Sequence, residues 1–188
     1  MNNPEILYLS DRESWRNWLE RNFKTQKEIW LVYSKKSSGK PRISYNDAVE
    51  EALCFGWIDS TIRSMDADYY IQRFTPRNPK SSFSQSNKER LKWLAGQGML
   101  HPVIEERIRH LLTEKFVFPA DIMNALKKDK TVWANYKKFS GSYKRIRIAY
   151  IDEARIRPEE YRKRLSNFIE KTRQNKLIGG FGGIEKHY

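Results

Sequence analysis

The residues best suited to chemistry fall between positions 56 and 87. Gly56-Trp57-Ile58-Asp59-Ser60, then Arg63, then Gln72-Arg73-Phe74-Thr75-Pro76-Arg77, and finally Ser84 and Asn87 bring together a carboxylate, three arginines and several hydroxyl and amide groups. Arginine forks offer paired donors in one plane, the geometry that recognises phosphate or carboxylate. The candidate ligand-binding residues are therefore Trp57, Asp59, Arg63, Arg73, Thr75, Arg77, Ser84 and Asn87. In a hairpin, alternate residues share a face, so Asp59, Thr61 and Arg63 can point together, as can Tyr70, Gln72 and Phe74, or Tyr69, Ile71, Arg73 and Thr75. Two readings stay open. Either the arginines converge with the serine and asparagine donors on an anion, or Asp59 pairs with Arg63 or Arg73 and pins the following loop. A third makes Asp59 a catalytic group with arginine clamps.

The rest of the inventory argues against an enzyme. His101, His110 and His187 show no two-ligand spacing, so no metal site is expected. Cys54 lies between Leu53 and Phe55 and reads as a buried thiol without a neighbouring base. Gly96-Gln97-Gly98 and Gly179-Gly180-Phe181-Gly182-Gly183 do not stand between a strand and a phosphate-facing helix. No Gly-x-Ser-x-Gly elbow and no carboxylate pair for glycoside hydrolysis stand out. No cofactor and no catalytic residue is implied.

These residues need a frame. Ser10-Asp11-Arg12-Glu13 reads as a capping box with Ser10 as the cap, opening a helix with Trp15, Trp18, Leu19 and Phe23 inward and Arg12, Arg16 and Glu20 toward solvent. Residues 28–34 are rich in aromatic and β-branched side chains and read as a strand. Ser44-Tyr45-Asn46-Asp47 caps a second helix, which Gly56 ends. Two strands follow, 57–64 and 69–75, joined by Asp66-Ala67-Asp68. Helices are expected at 85–95, 102–114, 119–128, 130–138 and 142–155, with a last one opened by Pro158 and striped by Tyr161, Leu165, Phe168 and Thr172. The fold class is α+β: a small, mostly antiparallel sheet with helices in an N-terminal lobe (1–115), an all-helical C-terminal lobe (116–176), and a flexible glycine-rich tail (177–188).

The 188 residues carry 36 Lys+Arg and 23 Asp+Glu, a net of +13. Of that excess, +8 lies in residues 137–176, which hold 13 basic and 5 acidic side chains. Lys144, Arg145, Arg147, Arg162, Lys163 and Arg164 are the expected basic surface. Interleaved aromatics such as Tyr143 and Tyr150 could stack on single-stranded nucleic acid, but they also follow the helical core period. Expected partners are an anionic small molecule, an acidic protein, or nucleic acid through 137–176. No stretch approaches the roughly 18–20 apolar residues of a membrane helix. One cysteine and an N-terminus without a secretory pattern point to the cytoplasm.

Leu53-Cys54-Phe55-Gly56-Trp57-Ile58-Asp59-Ser60 and Gln72-Arg73-Phe74-Thr75-Pro76-Arg77, with Ser82, Ser84 and Asn87, resemble the signature of the YdeI/OmpD-associated family, also called bacteriocin-protection proteins. Phe118-Pro119-Ala120-Asp121, Ala125-Leu126, Phe139, Tyr143, Arg145, Tyr150, Ile151 and Ala154 resemble that family's helical domain. The sequence departs from it at Phe83, where tryptophan is usual, and at Pro158-Glu159-Glu160-Tyr161-Arg162. The resemblance implies a small bacterial protein without an established reaction, linked to resistance against bacteriocins, antimicrobial peptides and stress. The expected function is non-enzymatic cytoplasmic binding of an anionic small molecule or acidic partner.

Overall fold

The computed structural model describes residues 5–180. The chain divides into two compact units, Met1–Ser82 with Leu91–Leu112, and Phe83–Arg90 with Thr113–Tyr188.

The first unit holds the sheet. Its strands are β1 (Ile6–Tyr8), β2 (Ile29–Ser34), β3 (Trp57–Ser64) and β4 (Tyr69–Pro76), in the order β1-β2-β4-β3. β4 runs antiparallel to both neighbours, and β1 runs parallel to β2, so the sheet is mixed. The parallel pair follows from the crossover between them, helix α1 (Arg12–Asn22). β1 has three residues, too few for alternation to be read from sequence. The fold class is α+β, as expected.

One face of the sheet carries Leu31, Tyr33, Tyr70, Gln72 and Phe74, and α1 packs there. Trp15, fully buried, meets Phe74 edge-on at 5.4 Å and stacks on Trp18 at 5.3 Å, while Trp18 meets Trp57 at 5.9 Å. Trp15 Nε1 donates to Ala48 O of helix α2 (Tyr45–Cys54) at 3.0 Å, which settles the indole's polar end inside the core. Gly56 ends α2 with φ +73°, and a Cβ there would stand 2.9 Å from Ile104 Cδ1. Both left-handed backbone and close packing call for glycine.

Two sequence expectations about α1 are corrected. The cap is Asp11, whose carboxylate accepts from Ser14 N at 2.8 Å, rather than Ser10. An anionic cap also gains from the positive end of the helix dipole. Arg12 and Arg16 do not face solvent. Arg12 bonds Glu51 at 2.5 Å, Asp47 at 2.9 Å and Glu50 at 3.0 Å, and Arg16 bonds Glu51 at 2.7 Å and Met99 O at 2.9 Å. Glu50 and Glu51 are buried, and a buried carboxylate needs such partners.

The first unit also holds the second half of α3 (Gln85–Gly96) and nearly all of α4 (Pro102–Thr113). The second unit is helical, with the start of α3 followed by α5 (Ala120–Lys127), α6 (Lys130–Lys138), α7 (Gly141–Asp152) and α8 (Pro158–Arg173). Ile122, Leu126, Val132, Tyr136, Tyr143, Ile148, Ile151 and Phe168 form its core. Asp129 and Ser140 cap α6 and α7 through their side-chain oxygens. Asn135 Nδ2 donates to the carbonyls of Thr172 and Arg173, serving the open end of α8. Arg145 of α7 makes a two-pronged pair with buried Glu89, both bonds 2.7 Å, which ties residues 83–90 to this unit. Leu177–Gly180 of the glycine-rich tail follows α8, with Ile178 N donating to Tyr143 Oη at 2.9 Å. Residues 181–188 of that tail lie outside the described residues. Among the described residues no helix is long and apolar enough to cross a membrane.

Candidate functional site

The hairpin β3–β4 does not bring its polar residues to one face. A register shift between Asp59 and Ile62 puts one extra residue into β3, and strand alternation inverts across it. Asp59 pairs with Phe74 and shares the face packed by α1, whereas Arg63 pairs with Ile71 and lies on the opposite face. The expectation that Asp59 and Arg63 point together is therefore corrected. So is the expectation that Asp59 pairs with either arginine. Its Oδ2 accepts from Gln72 Nε2 at 2.7 Å and from Tyr45 Oη at 3.1 Å, and Arg73 binds Glu28 through Nε at 2.7 Å.

On the opposite face Arg63 and Arg73 flank Trp30. Arg73 is its register partner, and the Arg63 guanidinium lies 4.6 Å from the Trp30 ring centroid. Thr75 follows on the same face. Trp57 is buried in the core, its Nε1 donating to Phe23 O at 3.1 Å. Arg77 donates from Nη2 to the carbonyls of Ser81 and Ser82, and its backbone N–H reaches Gly56 O at 2.9 Å, so it holds the chain after β4. Burial lowers its pKa. Ser84 and Asn87 belong to the second unit. Ser84 Oγ accepts from Asn87 N at 3.3 Å at the start of α3, and Asn87 Oδ1 accepts from Arg90 Nη1 at 3.1 Å.

The second unit does hold a cleft, of about 350 Å³, between α7 and α8. Arg147, Tyr150 and Ile151 line it from α7, Glu160, Lys163, Arg164, Asn167 and Phe168 from α8, and Ile178 from the segment beyond. Helical spacing explains the set, because 147, 150 and 151, and likewise 160, 163, 164 and 167, recur at three and four residues. Three cations stand against one carboxylate. The Arg164 guanidinium stacks 3.7 Å from the Tyr150 ring centroid, donates from Nη1 to Tyr150 O at 2.7 Å and from Nε to Glu160 at 2.7 Å. That pairing lowers the Glu160 pKa, so the carboxylate stays ionised. Arg164 Nη2 has no hydrogen bond among the described residues, and Lys163 is exposed at the rim.

The expected basic surface is thinner than its charge count. Arg147 is buried over Tyr143 and donates to Ile178 O, so it is corrected from a surface group to one that lines the cleft from within. Arg145 is committed to Glu89, Lys144 donates to Lys137 O at 2.9 Å, and Arg164 is stacked as described. Arg162 and Lys163 are exposed.

Two family models match successive parts of the chain. Residues 7–106 of the 188 match the family described as Domain of unknown function (DUF8412). The chain belongs to this family. Residues 115–175 match a second family, Bacteriocin-protection, YdeI or OmpD-Associated, as the resemblance of the C-terminal helices implies. No curated protein and no solved structure matches the chain significantly. The Gly-Trp-Ile-Asp and Thr-Pro-Arg segments lie inside the DUF8412 match, so the YdeI/OmpD-associated assignment rests on α5–α8, the helices that build the cleft.

Sequence reasoning named Arg147, Lys163 and Arg164 for a surface and missed that α7 and α8 fold them around a cleft. The i, i+3, i+4 spacing was the available signal. It also missed Tyr33, Tyr45 and Gln72 as companions of Asp59. Among the described residues no group of three His, Cys, Asp or Glu side chains could hold a metal. Cys54 is fully buried beside Arg16 and Glu51, and burial pushes its thiol up to about 12. At pH 8 it is therefore a neutral thiol shut off from solvent. The expected result is no reaction of the native chain with Ellman's reagent at pH 8 and one equivalent after denaturation. Rapid native labelling would contradict it.

Proposed function

We propose that this DUF8412 member is a non-enzymatic cytoplasmic binding protein whose ligand is an anionic small molecule, or the acidic group of a protein partner, held in the α7–α8 cleft. The observation that carries this reading is the lining of the cleft, with Arg147, Lys163 and Arg164 set against Glu160 alone. Arg164 is held in place by Tyr150 and Glu160 before any ligand arrives, so little side-chain freedom is lost on binding. The description of the family matched by 115–175 gives the biological direction, protection against bacteriocins. The anion-binding role first read for the β3–β4 residues moves here because Asp59 and Arg63 lie on opposite faces of the sheet. A lobe boundary near residue 115 is supported by the interval between the two family matches.

Nucleic-acid binding through 137–176 is the competing reading, and the commitments of Arg145, Arg147 and Lys144 weigh against it. Calorimetry of the full chain with inorganic phosphate, pyrophosphate and citrate tests both. Saturable binding that falls at least about tenfold in Lys163→Ala and Arg164→Ala, each folded by circular dichroism, is the expected result, a loss of about 1.4 kcal/mol. Heat-silent titrations of folded protein would sink the cleft reading. Binding to RNA or DNA whose log–log salt slope is about −5 or steeper would favour the competitor.

A further inference from the structure

On the face of the sheet packed by α1 lies a polar island. Tyr33 and Tyr70 are register partners whose rings stack at 5.1 Å, 5° from parallel. Gln72 follows on β4 and donates to Asp59, which also accepts from Tyr45 at the start of α2. Tyr33 and Gln72 are each 1% exposed, yet Tyr33 Oη and Gln72 Oε1 have no hydrogen-bond partner. Asp59 Oδ1 also makes no hydrogen bond, and Asp59 makes no ion pair, among the described residues. Buried polar atoms in native proteins are nearly always satisfied, so two unmet buried oxygens beside a half-buried carboxylate ask for a ligand.

We propose that this island binds a primary ammonium group. The chemistry selects it by elimination. A carboxylate oxygen and an amide oxygen can only accept, and the Tyr33 hydroxyl can accept as well, which matches the three N–H donors of an ammonium. An anion would face Asp59 and Gln72 Oε1, and an apolar group would leave all three oxygens unmet. Water could meet the hydrogen bonds but would leave a half-buried carboxylate without a counter-charge. The stacked faces of Tyr33 and Tyr70 add the quadrupole that attracts cations. Arg42, the cation that acts on Tyr70, donates to Ser34 O at 3.1 Å and makes no ion pair with Asp59. Burial raises the Tyr33 pKa, with Asp59 and Tyr45 adding to the rise, so its hydroxyl stays neutral at physiological pH. Asp59 is half-buried and Tyr45 is 38% exposed, which gives the island its opening.

The test is a nuclear magnetic resonance titration of the full chain with methylammonium, and separately tetramethylammonium, chloride at constant ionic strength. Saturable shifts at the Tyr33, Tyr70 and Gln72 signals are expected for methylammonium, at least about tenfold weaker for tetramethylammonium, which has no N–H. Asp59→Asn should abolish them, while Arg164→Ala, in the α7–α8 cleft, should leave them unchanged. Equal binding of the two ions, or no saturable shift of the folded wild-type chain up to about 100 mM methylammonium, overturns the proposal. So does a crystal soaked in methylammonium that shows only water on Tyr33 and Gln72. Because the wild-type comparison of two ions needs no variant, a failure of Asp59→Asn to fold leaves the test intact.

Discussion

Arg12→Ala is expected to destabilise the chain by about 3–5 kcal/mol, toward the lower end because Arg16 still holds Glu51. Arg12 bonds Glu51, Glu50 and Asp47, and the first two are 1% and 0% exposed. Removing it takes a cation from two buried carboxylates, so less of their desolvation is offset. Arg12→Lys should recover only part of the loss, because one ammonium cannot reproduce a fork that meets three carboxylates. If the cost comes from stranded charge, Glu50→Gln should be milder in the Arg12→Ala background than in wild type. Urea denaturation of the four proteins decides the matter. A loss below about 1 kcal/mol for Arg12→Ala would mean the cluster is solvated in solution.

Phe168→Ala is expected to cost about 3–5 kcal/mol. Phe168 is 1% exposed, meets Tyr136 edge-on at 6.3 Å and Tyr143 at 6.2 Å, and also lines the α7–α8 cleft. Truncation removes the transfer energy of the ring and leaves a void between α8 and the rest of its core. Phe168→Leu should recover most of the stability by filling part of that void. Anion affinity should fall in the alanine variant as the α7–α8 spacing relaxes. Equal thermal midpoints for wild type and Phe168→Ala would show that the ring is not packed as described.

Much of the fold was legible from the chain. The seven later helices carry their own punctuation, such as Ser44, Asp129 and Ser140 as caps, Pro158 at a helix start and Gly56 at a helix end. The Tyr161, Leu165, Phe168, Thr172 stripe reads directly as the inward face of α8, and Phe168 and Thr172 are buried. The candidate site was less legible. One extra residue in β3 separates Asp59 from Arg63, and nothing local in Asp59-Ser60-Thr61-Ile62-Arg63 announces a bulge. β1 is too short to read and exists because β2 offers it a partner.

Composition and spacing by themselves determined where the helices and three of the four strands form, that the class is α+β, and that cations concentrate between 137 and 176. Only the tertiary structure decided what each charge does. Local structure depends on neighbours within a few residues, which the sequence displays. A long charged side chain instead takes whichever partner the fold brings within reach, as Arg12 does with Glu51, 39 positions away, and Arg145 with Glu89, 56 away. The same folding left Tyr33, Gln72 and Asp59 with unmet oxygens and set Arg147 and Arg164 around one cleft, arrangements that exist only once separate segments are packed.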